Sequence, residues 1–372
     1  MTWFNYERTR ALLTFPIITV TLLHDDNDVV DKDYKNFIAK ELSEGNSFFI
    51  YLSNTIDSLS SCCRLRSNIS DQINDFQYSL GAGGIMTGSI NVITLNINRF
   101  VQDTYQKYHV EDRYKHEEFI DYLQQELTNE IVLIQKFQLG FRSLFEKFIQ
   151  KGIMPAYTAG FIDIKKQYCT IGVNGILESA EFLGYGVKSQ EYVNYVRTIF
   201  KTISDLNRKA KSKYDVKFNC EMVPAESLGI KFAKWDKKDG YHVPRDCYNS
   251  YLYPVEDNSL SISDKFDLHG KELMQYLDGG SALHLNLHDY LSFKQYLWLL
   301  DIAVKYGTQY FCTNVLITIC NECGNIDKNT LTRCPKCGSK DIDYGTRVIG
   351  YLKRLSNFSI ERQQEAKRRY YG

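Results

Sequence analysis

The chain has 372 residues, enough for one large or two ordinary domains. Its 45 Lys and Arg balance 45 Asp and Glu, so no overall field draws it to nucleic acid or to a membrane surface. Ten cysteines, four of them in metal-type spacing, suit a reducing cytosol better than a disulfide framework, and 27 Tyr with 21 Phe supply ample core.

The apolar run from Leu12 to Leu23 is too short to span a bilayer and is interrupted by Pro16. His24-Asp25-Asp26 follows where a cleavage site would need small residues, so the chain reads as soluble and intracellular. Residues 15–23 read instead as a strand buried on both faces. A helix is expected over 33–44 and a short strand over 48–52. The next run holds adjacent Cys62 and Cys63 ahead of Arg64; cysteines of this kind are often simply packed. Residues 80–90 are the most glycine-dense stretch, but no Gly-Lys-Ser/Thr follows, so they form no Walker loop. An alternating strand over 90–99 follows them, where a dinucleotide fingerprint would require a helix.

Residues 117–150 carry apolar side chains at intervals of three and four, which predicts one long amphipathic helix or a pair broken near Gly140. A strand over 167–173 leads through Gly172 and Gly175 into a helix whose N-terminus could face phosphate. Ser189 caps the next helix. Residues 218–227 read as the next strand and loop, with Glu221 and Glu226 five apart as rim charges or acid–base groups. His284 and His288 sit in an alternating context and read as structural. Ser292 starts a helix that Gly307 ends, and 310–315 is the last strand of this body. Strand and helix thus alternate, predicting an α/β class with a mainly parallel sheet.

Cys320 and Cys323, then Cys334 and Cys337, form two Cys-x-x-Cys pairs, each followed by Gly, with ten residues between them. Two thiolates on one tight turn reach a single tetrahedral metal, and the Gly permits the turn, so the pattern predicts a zinc ribbon. Four thiols without metal are the alternative. Close behind stands Arg347-Val348-Ile349-Gly350-Tyr351-Leu352. Taken alone, Gly350 could be a turn glycine.

An Arg-Val-x-Gly-Tyr just after a four-cysteine site resembles the glycyl-radical loop of the anaerobic (class III) ribonucleotide reductases. The tail with Glu361, Glu365, Arg368 and Arg369 is similar to that family's end, and Leu13-Thr14-Phe15-Pro16 to the start of its second barrel half. The resemblance implies an α/β chain forming the C-terminal half of a ten-stranded barrel, the glycyl-radical enzyme fold. That body would occupy 1–315 with a thiyl-cysteine finger loop. The zinc ribbon would occupy 316–343, and the radical loop and C-terminal helix 344–372. Gly350 would carry the radical and Cys63 would become the thiyl. Cys62, Ser89, Asn249 and Ser250 would contact substrate. Asn91 stands where the family usually has Gly, and Cys247 departs from its Tyr-x-Asn-Ser motif.

The implied activity is anaerobic reduction of ribonucleoside triphosphates to 2′-deoxyribonucleoside triphosphates. A radical-SAM activating enzyme would generate the Gly350 radical, and the Cys63 thiyl would take the ribose 3′ hydrogen. Loss of the 2′ hydroxyl as water would follow, with formate or a thiol system as reductant and no flavin or nicotinamide bound directly. The family's chains are longer, so a split reductase completed by a separate N-terminal polypeptide is expected, or else a truncated product. The assembly is expected to be oligomeric and cytoplasmic, in a bacterium or in the host of a phage or virus. Two other classes remain: a formate-lyase-like glycyl-radical enzyme, which would not be expected to carry the ribbon, and a non-catalytic zinc-ribbon binding protein, which the basic C-terminus would suit.

Overall fold

The structure is a computed structural model, and it describes residues 1–14, 17–25, 27–54, 58–60, 66–68, 88–108, 116–223, 227–279, 281–348 and 350–372. The strands of the body are β1 (Thr19–Leu23), β2 (Phe49–Ser53), β3 (Ser58–Ser60), β4 (Arg66–Asn68), β5 (Gly88–Asn96), β6 (Gln167–Asn174), β7 (Lys217–Met222), β8 (Leu283–Asn286) and β9 (Tyr310–Asn314). Runs without polar alternation become strands covered on both faces: every residue of β2, β8 and β9 is buried.

β5, β6 and β7 form a parallel sheet, and β1, β2, β9 and β8 form a second one. A parallel bridge from Glu221 to Gly279 joins the end of β7 to the approach to β8. The Cys220 carbonyl accepts from the Asp278 amide there at 2.9 Å. β8 and β9 are parallel, as are β1 and β2, but β2 lies antiparallel to β9. The sheets are mainly parallel, as expected, with β2 against β9 the one antiparallel pairing within the two larger sheets of the body among the described residues. β3 and β4 pair antiparallel with each other.

Helices pack on these sheets where their caps permit. Asp31 accepts the Tyr34 amide and starts Lys32–Ser43, which packs against Phe293–Tyr306. Phe293–Tyr306 has a full capping box between Ser292 and Gln295 and ends at Gly307 with φ 68°. The helix over His116–Gln150 runs unbroken through Gly140. The strand expected over 90–99 stops at Asn96, and a helix, Ile97–Tyr108, begins directly behind it. The reason is local: the Asn96 side-chain oxygen accepts the Arg99 amide at 3.2 Å, acting as a helix cap. Its amide nitrogen meanwhile donates to the buried carboxylate of Asp236 at 2.8 Å.

The ribbon is a separate four-stranded sheet in the order β11 (Ile326–Asp327), β10 (Ile317–Cys320), β12 (Ile342–Arg347), β13 (Leu352–Arg354), all antiparallel. The C-terminal helix Ile360–Arg368 closes the chain. Among the described residues no helix is long and apolar enough to cross a membrane.

Candidate functional site: a glycine hairpin held by a four-cysteine ribbon and the C-terminal helix

Gly350 lies in the tip of the β12–β13 hairpin, which closes on the pair Arg347 and Leu352. Its backbone is not left-handed, unlike the turn glycines Gly324 and Gly338. Among the described residues, a Cβ built onto it would meet nothing within 4 Å. Neither a positive φ nor a close approach to a described residue therefore demands glycine at this position.

The hairpin is fixed from three sides. Arg347 is 4% exposed and its guanidinium donates to the Ser47 hydroxyl (2.9 Å), the Ser47 carbonyl (2.9 Å) and the Gly350 carbonyl (2.5 Å). Among the described residues its acceptors are neutral oxygens, and it sits 5.1 Å over the Phe49 ring. Burial pulls its pKa below the ordinary arginine value. Asn314, at the end of β9, accepts the Arg347 amide at 3.0 Å and donates to the Arg347 carbonyl at 3.0 Å. Thr14 donates to the Leu352 carbonyl on the other flank at 2.9 Å.

The third side is the C-terminal helix and Tyr251. Val348 is fully buried with Phe358 and Ala366. The Tyr251 hydroxyl donates to the Val348 carbonyl at 3.0 Å. Arg369 donates to the Arg347 carbonyl at 2.8 Å and also reaches the Val348 carbonyl. Glu365 is ion-paired with both Arg369 (2.7 Å) and Arg362. Those two guanidinium groups hold the Glu365 carboxylate below its usual pKa even though burial opposes them. Breaking a buried ion pair by removing one partner costs roughly 3–5 kcal/mol. Arg369→Ala is thus expected to lower unfolding free energy by about that amount and to loosen the hairpin. Arg369→Lys should recover little of it, because an ammonium cannot reproduce the planar fork. Denaturant unfolding of the three proteins checks this; equal midpoints would refute it.

The ribbon carries the candidate metal centre. The Sγ atoms of Cys320, Cys323, Cys334 and Cys337 lie within 4.8 Å of one another. Cys320 and Cys337 approach to 3.6 Å, as do Cys323 and Cys334. Zinc–sulfur bonds of about 2.3 Å in a tetrahedron put sulfurs about 3.8 Å apart, so the four thiols fit such an ion. Each pair is shaped by the same turn: Gly324 donates to the Cys320 carbonyl (3.2 Å) and Gly338 to the Cys334 carbonyl (2.9 Å). Both glycines are left-handed, with φ 70° and 76°. β10, which ends in Cys320, pairs directly with β12, which leads to Gly350. Among the described residues this is the one group of His, Cys, Asp and Glu arranged to hold a metal.

The remaining expected residues divide. Cys62 and Cys63 lie outside the described residues, as do Arg64, Gly81–Gly84 and Glu226. Ser89 is exposed on β5, its hydroxyl 2.5 Å from that of Thr170. Asn249 is committed to its own loop: its amide donates to the Tyr253 carbonyl (2.9 Å) and its oxygen accepts the Tyr251 amide (2.9 Å). The Ser250 hydroxyl is buried with no hydrogen-bond partner, which leaves it able to take one from a ligand. Gly172 is a close-packing position inside β6, where a Cβ would overlap Val223 and Thr94, while Gly175, with φ 84°, makes the turn and is covered by Tyr248. His284 is buried between the Phe49 and Tyr251 rings, and His288 is exposed beside Asp289.

Glu178, Arg369, Tyr251 and Asn314 were not singled out from the sequence as site residues. Glu178 is fully buried, and its carboxylate accepts the Asn249 amide at 2.8 Å, so it positions the Asn249–Ser250 loop. Burial raises its pKa to about 7, outweighing Arg245 at 3.9 Å. Between pH 4.5 and about 7 the folded form keeps a proton that the unfolded form releases. Stability should therefore fall as pH rises through that window, by on the order of 3 kcal/mol. Glu178→Gln should remove this slope. Unfolding titrations of both proteins across the window check it, and parallel curves would exclude the assignment.

Fold and site together define an α/β protein with a four-cysteine ribbon behind a guanidinium-held glycine hairpin. The chain belongs to the anaerobic ribonucleoside-triphosphate reductase family, whose sequence model matches residues 5–371. Among solved structures it is similar to an anaerobic ribonucleotide reductase at 28% identity and a TM-score of 0.83, over 100% of this chain. It is also similar to the anaerobic ribonucleotide reductase from Thermotoga maritima in complex with dATP and CTP, at 28% identity and a TM-score of 0.80 over 98% of this chain. The chain spans 57% and 58% of the length of these two structures. No curated protein matches it.

Proposed function

We propose that this chain carries the radical loop and the substrate-reducing thiol of an anaerobic ribonucleoside-triphosphate reductase. The observation that carries the reading is Gly350 itself: its backbone would accept a side chain, yet glycine stands there under a buried arginine. Glycine does have a chemical use at such a site. Loss of a Cα hydrogen leaves a planar radical spread over two amides, and no Cβ crowds it. The Arg347 donor on the Gly350 carbonyl fixes one of those amides.

In this reading a radical-SAM enzyme removes the Gly350 hydrogen and Cys63 relays the radical to the ribose. The thiyl takes the 3′ hydrogen, the 2′ hydroxyl leaves as water, and formate or a thiol supplies the electrons. Ser250, Ser89 and Cys62 face the substrate, and Asn249 shapes the loop that presents Ser250. Zinc on the four cysteines braces the hairpin without redox work. The body would form the C-terminal half of a ten-stranded barrel, with the first half on a separate N-terminal polypeptide. The assembly would work in the cytoplasm.

The test is an EPR spectrum of the anaerobic protein with its activating enzyme, S-adenosylmethionine, a reductant and any adjoining N-terminal polypeptide. A doublet from a single α-hydrogen is expected. Its absence under those conditions would sink the catalytic reading.

A further inference from the structure

A cavity of about 400 Å³ is lined by Arg347 and Leu352, the pair that closes the glycine hairpin, and by residues from the N-terminal segment and the ribbon. That volume suits a small molecule. Phe4, Leu12, Leu13, Ile18, Val315 and Ile317 supply apolar wall.

Three basic side chains line the same space: Arg8, Lys328 and Arg347. Arg8 donates to the Gly45 carbonyl at 2.8 Å, and Arg347 donates to the Ser47 carbonyl at 2.9 Å. Both guanidinium groups therefore reach one short segment ahead of β2. Lys328 joins them there: a Cβ on Gly45 would lie 2.9 Å from Arg8 Nη1 and 3.0 Å from Lys328 Cδ. Burial raises the pKa of Tyr290 on the cavity wall, and Arg8 and Arg347 both oppose the rise, so the two cations act on the same spot.

No acid answers these charges. Among the described residues Arg8, Lys328 and Arg347 form no ion pair. The Arg8 Nε is buried with no partner, and its Nη groups meet only the Gly45 and Glu44 carbonyls. Arg347 is 4% exposed and uses three of its N–H groups on neutral oxygens of Ser47 and Gly350. A guanidinium has five donors, so two remain for a ligand without releasing Gly350. The two acids on the lining serve other partners: Glu44 lies 3.9 Å from Lys40, and Asp327 accepts the Asn329 amide at 2.9 Å. A buried cation without an anion is unfavourable, and a bound anion offsets that.

We propose that this cavity binds a small organic anion, a carboxylate or phosphate monoester, with its acid group among Arg8, Arg347 and Lys328 and its apolar body against Leu13 and Val315. Guanidinium forks match both kinds of acid group. Because Arg347 also holds the Gly350 carbonyl, an occupant braces the hairpin from behind. The site is defined by the cavity and its charges and does not depend on the reductase reading.

Isothermal titration of the full chain with benzoate and with phenyl phosphate, at constant ionic strength, tests it. Saturable binding of at least one is expected, with benzyl alcohol, a similar body without charge, at least about tenfold weaker. Tighter binding of phenyl phosphate would mark a phosphate ester, and the reverse order a carboxylate. Lys328 is exposed, so Lys328→Met should keep the fold and weaken binding severalfold. Arg8→Gln should weaken it at least about tenfold. Leu13→Trp should block it by filling the cavity while every cation stays. Backbone hydrogen exchange of the bound form should slow at residues 8–13 and 346–352. Absence of saturable binding by either anion overturns the proposal. So does equal binding of benzyl alcohol, binding that all three variants leave unchanged, or protection confined to another part of the molecule.

Discussion

Gly350→Ala is expected to abolish the anaerobic radical doublet and all ribonucleotide reduction while leaving the fold in place. The steric side of this rests on the hairpin tip: the Gly350 backbone is outside the left-handed region, and an added methyl meets none of the described residues within 4 Å. The stability change should stay within about 0.5 kcal/mol, as for a surface substitution. The chemical side rests on the radical: an alanine Cα radical would carry a Cβ against its flat amides, and the hydrogen abstracted would be a different one. A second readout accompanies the first. Oxygen admitted to the activated protein should cut the chain at Gly350, and the alanine variant should remain whole on a denaturing gel. Should the variant turn over substrate at a measurable rate, the glycine is structural after all and the radical reading falls.

Stripping the metal with a chelator, or replacing Cys334 with Ser, is expected to give the largest change in stability. A structural zinc contributes about 10–16 kcal/mol of apparent binding free energy in isolated zinc-finger peptides. The ribbon is a small sheet, and its metal-binding turns hold few buried apolar side chains: Cys323 and Cys337 are exposed, and β11 is two residues long. Without the ion, four thiols crowded within 4.8 Å have no common partner. Protease cuts should appear between residues 320 and 343, and the melting temperature should fall. The effect should travel, because β10 pairs with β12 and β12 leads into the hairpin. Radical yield should therefore drop in the chelated protein although no zinc ligand touches Gly350. A protein purified anaerobically without metal, yet with a protease-resistant ribbon, would show that the four thiols need no ion.

These two outcomes differ in how they could have been foreseen. The ribbon was legible because its chemistry is local: each Cys-x-x-Cys-Gly specifies its own turn, and the left-handed Gly324 and Gly338 match that reading. The glycine loop was legible as a motif, but the motif did not say whether glycine was there for its backbone. Only the conformation of Gly350 separates the two. The strand over 90–99 was read too long because Asn96 fits an alternating pattern as well as it fits a helix cap; what decides is the Arg99 amide, three residues on. That Asn249 also ties its own loop together could not be read from the sequence, because a short polar pair looks alike whether it binds a ligand or its own turn.

The sequence by itself determined the α/β class, a cysteine set spaced to hold one metal ion and the Arg-Val-x-Gly-Tyr motif at Gly350, since each depends on residues within a few positions of one another. The tertiary structure alone decided what holds that glycine. Arg369 reaches the hairpin carbonyls across 22 residues, Tyr251 across 97, and Ser47 meets Arg347 across 300. It also decided that β2 runs against β9 and that Glu178, buried beside Arg245, keeps its proton to about pH 7. Strand direction and buried polar pairings are set by which distant segments exclude water together, and no spacing along the chain records that choice.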